Sequence, residues 1–290
     1  MAFHPCSRLP VLLVVAACAS TPTASSPAGG RPSPAPTTTS TTPEKRDNAT
    51  LYGALPLAHY LLQSRDSLAM EMPDGSFGNL NEKAAYLTIS LTPSAAGLAM
   101  SVVLDSMRLS HPDYLLQPLV DSAVGTRWEG TMAPNGRLES LVPDHLSVLG
   151  EQVRTSLHRL LPVLPEAGAK PGDQWSDSAS TKLTIVNGLS VQEHRTTAYR
   201  AEKQENLRGV RVLVLQSATT YRVEGTGTSY GQELNITGNG AATGTHRIGA
   251  DGRLFEASVS DSVGMSITVP AVGQTGPTVA TSRYTLRLLP

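Results

Sequence analysis

Tyr86-Leu87-Thr88-Ile89-Ser90-Leu91-Thr92 alternates apolar and polar side chains along its whole length. A period of two is the pattern of a strand with one buried face and one wet face. The alternation recurs at Leu98, Met100, Val102 and Leu104, and at Val210, Val212 and Val214. It returns at Val263, Met265, Ile267 and Val269, and at Tyr284, Leu286 and Leu288. Turn sequences punctuate these runs: Pro73-Asp74-Gly75, Pro134-Asn135-Gly136, Asn187-Gly188 and Asp251-Gly252. The expected fold is therefore mainly β, a curved antiparallel sheet or half-barrel of about ten strands.

One segment has a different period. From Asp144 to Leu161 the apolar residues Leu146, Leu149, Val153, Leu157 and Leu160 fall on a single helical stripe. Asp144 is placed to cap the start, and Pro162 ends the helix. Arg154, His158 and Arg159 occupy its C-terminal half, where positive charge suits the dipole. A weaker helical piece is expected from Pro112 to Ala123. Both helices are expected on the concave face of the sheet.

The chain has 290 residues, a net charge of −1 and only 4% aromatic side chains. No dense basic run suggests nucleic acid as a partner. The two cysteines are Cys6 and Cys18. Residues 1–17 read as an export segment: Arg8, then the apolar run Leu9–Ala17, then small residues. Val15-Ala16-Ala17-Cys18 resembles the lipobox of bacterial lipoprotein signal peptides. That resemblance implies cleavage after Ala17 and a diacylglycerol thioether on Cys18, which becomes the acylated N-terminus. Ala17-Cys18-Ala19 also fits an ordinary small-x-small cleavage site, which would discard Cys18.

Residues 19–43 are nearly all Thr, Ser, Pro, Ala and Gly, with Arg31 their only charge. Such a stretch cannot bury a core and reads as a disordered tether. The expected organisation is thus a signal peptide over 1–17, the acylated cysteine and tether over 18–48, and one β-rich domain over 49–290. Two four-residue echoes raise an internal duplication of about 50–141 and 165–290. Asn135-Gly136-Arg137-Leu138 matches Asp251-Gly252-Arg253-Leu254, and Gly125-Thr126-Arg127-Trp128 resembles Gly172-Asp173-Gln174-Trp175. Convergent turn chemistry is the alternative, because tight hairpins demand Asn-Gly or Asp-Gly.

No zinc-protease helix or phosphate loop occurs in the chain. The mature histidines are scattered and lack metal-ligand spacing, so neither a metal nor a cofactor is expected. Glu193-His194 is adjacent in a strand, which points the two side chains to opposite faces and reads as a solvated pair. Nothing local brings any two of Asp105, Asp121, Asp173, Glu224 and Asp261 together. The Gly- and Thr-rich stretch over 225–244 reads as a pair of flat strands or a flap.

Leu164-Pro165 through Lys170-Pro171-Gly172-Asp173-Gln174-Trp175 resembles the signature of an uncharacterised family of bacterial envelope lipoproteins. Trp128-Glu129-Gly130-Thr131 followed by Asn135-Gly136-Arg137 is similar to its upstream companion. The resemblance makes Trp128, Gly172, Asp173 and Trp175 structural signature residues and implies no activity. The layout also resembles, at fold level alone, the carriers of lipoprotein localisation, in which a bent sheet is plugged by helices.

The expectation for function is a non-enzymatic envelope lipoprotein, anchored to a membrane through Cys18, with the outer membrane favoured where there is one. It would bind or shuttle an apolar, lipid-like ligand against a wall formed by Leu146, Leu149, Val153, Leu157 and Leu160. The alternatives are a scaffold that binds another envelope protein and a hydrolase with a non-local active site.

Overall fold

The alternating run over 86–92 lies in the second of two long strands that form a hairpin, with Tyr60 opposite Leu87 and Leu62 opposite Ala85. A computed structural model describes residues 19–20, 49–72, 75–110, 116–185, 189–229 and 232–290. The expectations for Cys18, Ala17, the remainder of the export segment and the tether from 21 to 48 lie outside the described residues. So do those for Pro73-Asp74, Asn187-Gly188 and the segment 112–115.

The elements in order are β1 (Ala19–Ser20), β2 (Leu55–Met72), β3 (Gly75–Ser94), β4 (Gly97–Leu109), α1 (Gln117–Ala123), β5 (Arg127–Met132) and β6 (Leu138–Pro143). There follow α2 (Val148–Leu160), β7 (Gln174–Ile185), β8 (Leu189–Leu207), β9 (Val210–Ser229), β10 (Gln232–Gly249), β11 (Leu254–Val269) and β12 (Gln274–Leu288). All strands join one antiparallel sheet in the order β1-β7-β8-β9-β10-β11-β12-β2-β3-β4-β5-β6. The sheet is open. The C-terminal strand β12 closes against β2, with Tyr284 opposite Ser64, and so carries the two halves of the chain into one sheet. At one edge, Pro143 falls in the short strand β6, a place where a missing N–H does least harm.

The inward register matches the alternation. Leu87, Ile89 and Leu91 of β3 and Leu98, Met100, Val102 and Leu104 of β4 are buried, as are Tyr284, Leu286 and Leu288 of β12. They pack with Leu157 and Leu160 of α2 and with Trp128, all fully buried, in one core. Val263, Met265 and Ile267 depart from this and are only partly buried. They gather around Val191, Tyr221, Val223 and Ile236 in a separate apolar cluster.

α2 is shorter than its sequence suggests. Ser147, not Asp144, caps it: Gly150 N donates to Ser147 Oγ at 3.1 Å. Asp144 instead accepts from Arg127 N and contacts His145 Nδ1. Those contacts, the backbone N–H first, hold its carboxyl below the ordinary value. Leu146 therefore precedes the helix and is 84% exposed.

The sequence echoes share their hydrogen bonds. Arg137 O accepts from Ala133 N and Ala133 O from Gly136 N, and Arg253 O, Gly249 N and Gly252 N repeat the arrangement. Gly125 N donates to Leu104 O as Gly172 N donates to Ala201 O, and both glycines have positive φ. Residues 225–229 and 232–244 lie in β9 and β10, which pair antiparallel.

Candidate functional site: a cavity under the central helix

α2 lies across the inner face of the sheet without filling the space beneath it. Leu149, Gln152, Val153, Ser156 and Arg159 form the roof of a cavity of about 150 Å³. These positions are three or four residues apart, so they share one helical face. The side walls differ. On β8 to β11 the lining carries Val191, Val223, Ile236, Val263 and Met265, together with Glu193, Tyr221 and Asp261. On β12, β2 and β3 it is largely polar, with Ser282, Ser64, Asp66, Asn79, Asn81 and Lys83. The valine, isoleucine and methionine side chains thus gather on the β8 to β11 side, with two carboxylates among them.

Two charge groups mark the cavity. Lys83 Nζ donates to Gln152 Oε1 at 2.7 Å and pairs with Asp66 Oδ2 at 3.0 Å, tying the sheet to the roof. At the other group, Arg159 of α2 pairs with Glu193 Oε2 at 2.9 Å and with Asp261 Oδ2. Tyr221 Oη donates to Asp261 Oδ1 at 2.7 Å, and the Arg159 guanidinium lies 5.6 Å from the centre of the Tyr221 ring. Burial opposes the charge on Arg159, but Glu193 and Asp261 outweigh it and hold the group above its ordinary value. Burial pushes the Tyr221 and Tyr284 phenols up, so both remain neutral. Gly240 makes room for Tyr221: a Cβ there would stand 2.1 Å from the ring.

Behind this cluster lies a second cavity, of about 30 Å³, lined in part by His158, Arg195, Thr197, Ser217 and His246. His246 is 1% exposed. It bridges Leu160 O (Nδ1, 3.1 Å) and Ser217 Oγ (Nε2, 3.0 Å). A carbonyl only accepts, so Nδ1 carries the proton and Nε2 accepts from the serine. Burial pushes the pKa of His246 down to about 4, and that of His158 likewise to about 4.

Leu149 and Val153 therefore line the cavity, as their stripe suggests. Leu157 and Leu160 do not: they are turned into the core and are fully buried. Leu146 is a correction, lying outside the helix on the surface. The reading of Glu193 as solvated is also corrected, because Glu193 is 5% exposed while its neighbour His194 is on the exposed face bonded to Ser180. Asp261 meets Glu193 through Arg159 although no local motif joins them. One signal for both was available. Glu193 is in phase with Val191, and Asp261 with Val263, so each is a charge in an apolar register.

Trp128 is fully buried. Trp175 is half-buried, donates to Val163 O at 2.7 Å and stacks on Tyr199 at 5.3 Å. Asp173 Oδ2 accepts from Lys170 N at 3.0 Å, and Gly172 has φ 91°, a turn that favours glycine. Among the described residues no group of three or more His, Cys, Asp or Glu side chains is placed to hold a metal ion.

No protein-family model and no curated protein matches the chain. Among solved structures it is similar to DynF from the dynemicin biosynthesis pathway of Micromonospora chersina, at 10% identity over 88% of this chain and 92% of that one, with a TM-score of 0.24. It is also similar to a mutant of the Rh. blastica porin, at 7% identity over 80% and 100% of the two chains, TM-score 0.24. A third likeness is to a domain described as an outer membrane lipoprotein-sorting protein of Vibrio parahaemolyticus, at 9% identity over 79% and 85%, TM-score 0.13. Likenesses of this size carry no argument about function.

Proposed function

We propose that this chain is a membrane-anchored envelope lipoprotein that binds an apolar, lipid-like ligand beneath α2 without catalysing a reaction. The observation that carries the reading is the cavity whose roof includes Leu149 and Val153 and whose greasy wall is Val191, Val223, Ile236, Val263 and Met265. The volume of about 150 Å³ is close to that of an apolar cavity that accepts benzene. It is smaller than the roughly 300–1,000 Å³ of sites for drug-sized ligands. Only part of an acyl chain fits inside, and the rest would leave the cavity along Ile267, which belongs to the same apolar cluster as the wall but does not line the cavity.

The test is lipid extraction and mass spectrometry of protein purified from membranes, comparing wild type with Val153→Trp. Stoichiometric lipid in the wild type, and its loss from a variant of nearly unchanged melting temperature, is the expected result. Absence of lipid from the wild type, with a destabilised variant, would overturn the reading, because a filled core resists added volume.

A second reading is a scaffold that binds an envelope protein by strand addition. It is favoured by the edge of β7, which among the described residues is paired by β1 only at Thr184 and Leu183. That leaves the segment from Gln174 to Lys182 open to another strand.

A further inference from the structure

The polar groups of the cavity do not balance. Two cations, Lys83 and Arg159, face three carboxylates, Asp66, Glu193 and Asp261. Lys83 is taken by Asp66, and Arg159 is shared by the other two. Asp261 has both oxygens engaged, by Arg159 and Tyr221. Glu193 is engaged through Oε2, by Arg159. Arg159 is its one polar partner among the described residues, on a side chain 6% exposed. The next cation, Arg195, is not a lining residue of this cavity but of the smaller one behind the cluster.

Two carboxylates that share one cation beside apolar walls select for a further donor, and a positively charged donor most of all. An anionic head would meet Glu193 and Asp261 with no free guanidinium to answer it. We propose, building on the apolar-ligand reading, that the cavity takes amphiphiles with a protonated amine head. The ammonium sits at Glu193 beside Asp261, and the chain runs along Val223, Val263 and Met265.

The arrangement predicts how the carboxylate behaves when neutralised. Glu193→Gln leaves Arg159 and Asp261 as a balanced pair, so the empty protein should stay folded. The same change removes the group that recognises the amine.

The experiment is calorimetric titration of the purified protein with dodecylamine, dodecanoate and dodecanol at pH 7, each below its micelle concentration, using wild type, Glu193→Gln and Val153→Trp. Wild type should bind the amine about tenfold or more tightly than the acid, as expected for a charge-assisted hydrogen bond. Glu193→Gln should lose that preference with its melting temperature kept, and Val153→Trp should bind none of the three. If the acid or the alcohol binds wild type as tightly as the amine, and Val153→Trp abolishes binding, the head-group inference falls and the apolar cavity stands. If none of the three binds wild type, both fall. The wild-type comparison needs no variant to fold.

Discussion

Arg159 and Glu193, 34 residues apart in the chain, meet with Nη2 and Oε2 2.9 Å apart. The same guanidinium reaches Asp261 of β11, so a single cation from α2 joins two strands that do not touch each other in the sheet order. Arg159→Leu would strand two buried carboxylates. It should destabilise the domain by about 3–5 kcal/mol, the usual result of removing one partner from a buried ion pair. Denaturant midpoints check this, with Glu193→Gln as the milder comparison. Equal midpoints for wild type and Arg159→Leu would show that the pairs contribute nothing to folding.

The two tryptophans should not be equivalent. Trp128 is fully buried in the main core, and Trp128→Ala should cost about 3–5 kcal/mol. Trp175 is half-buried and held by one hydrogen bond and one stacked ring. Trp175→Ala should cost less. Chemical denaturation of both variants reads the order directly, and a larger loss at Trp175 would contradict the packing.

Stability should fall in mild acid. His246 has a folded-state pKa of about 4, below the ordinary value of 6.5, because it is buried neutral. The unfolded chain therefore binds more protons between these values, and stability rises with pH across that window. The contribution is full above about 6.5 and is lost as pH falls toward about 4, on the order of a few kcal/mol for a side chain this buried. Melting temperatures from pH 7 to pH 4 should drop steeply in wild type and less so in His246→Gln. Parallel curves would place the acid sensitivity elsewhere.

The anchor is tested in cells. Cys18→Ala should prevent acylation and leave the precursor uncut or the protein released from membranes. Unchanged membrane fractionation and an unchanged N-terminus would remove the lipoprotein reading and favour an ordinary secretory signal.

The β class was legible in the chain because a strand writes its buried face into every second residue, as at Leu98, Met100, Val102 and Leu104. The helix was legible for the same reason at a different period, although its start was misplaced. Asp144 and Ser147 are both good capping residues, and only the packing of residues 144–146 outside the helix selects between them. The cavity was legible in part. A stripe tells which residues leave the solvent, so Leu149, Val153, Leu157 and Leu160 stand out together, but not which of them meets empty space and which meets other side chains. Tertiary structure decided that: Leu149 and Val153 line the cavity, while Leu157 and Leu160 are fully buried in the core. It also decided the charge cluster. Arg159, Glu193 and Asp261 each sit on a different element, and no local pattern relates a helix's last turn to two strands placed 34 and 102 residues later. Sequence alone determined periods, turns and the candidate anchor; the convergence of three charges on one cavity depends on non-local strand order, which no short-range periodicity encodes.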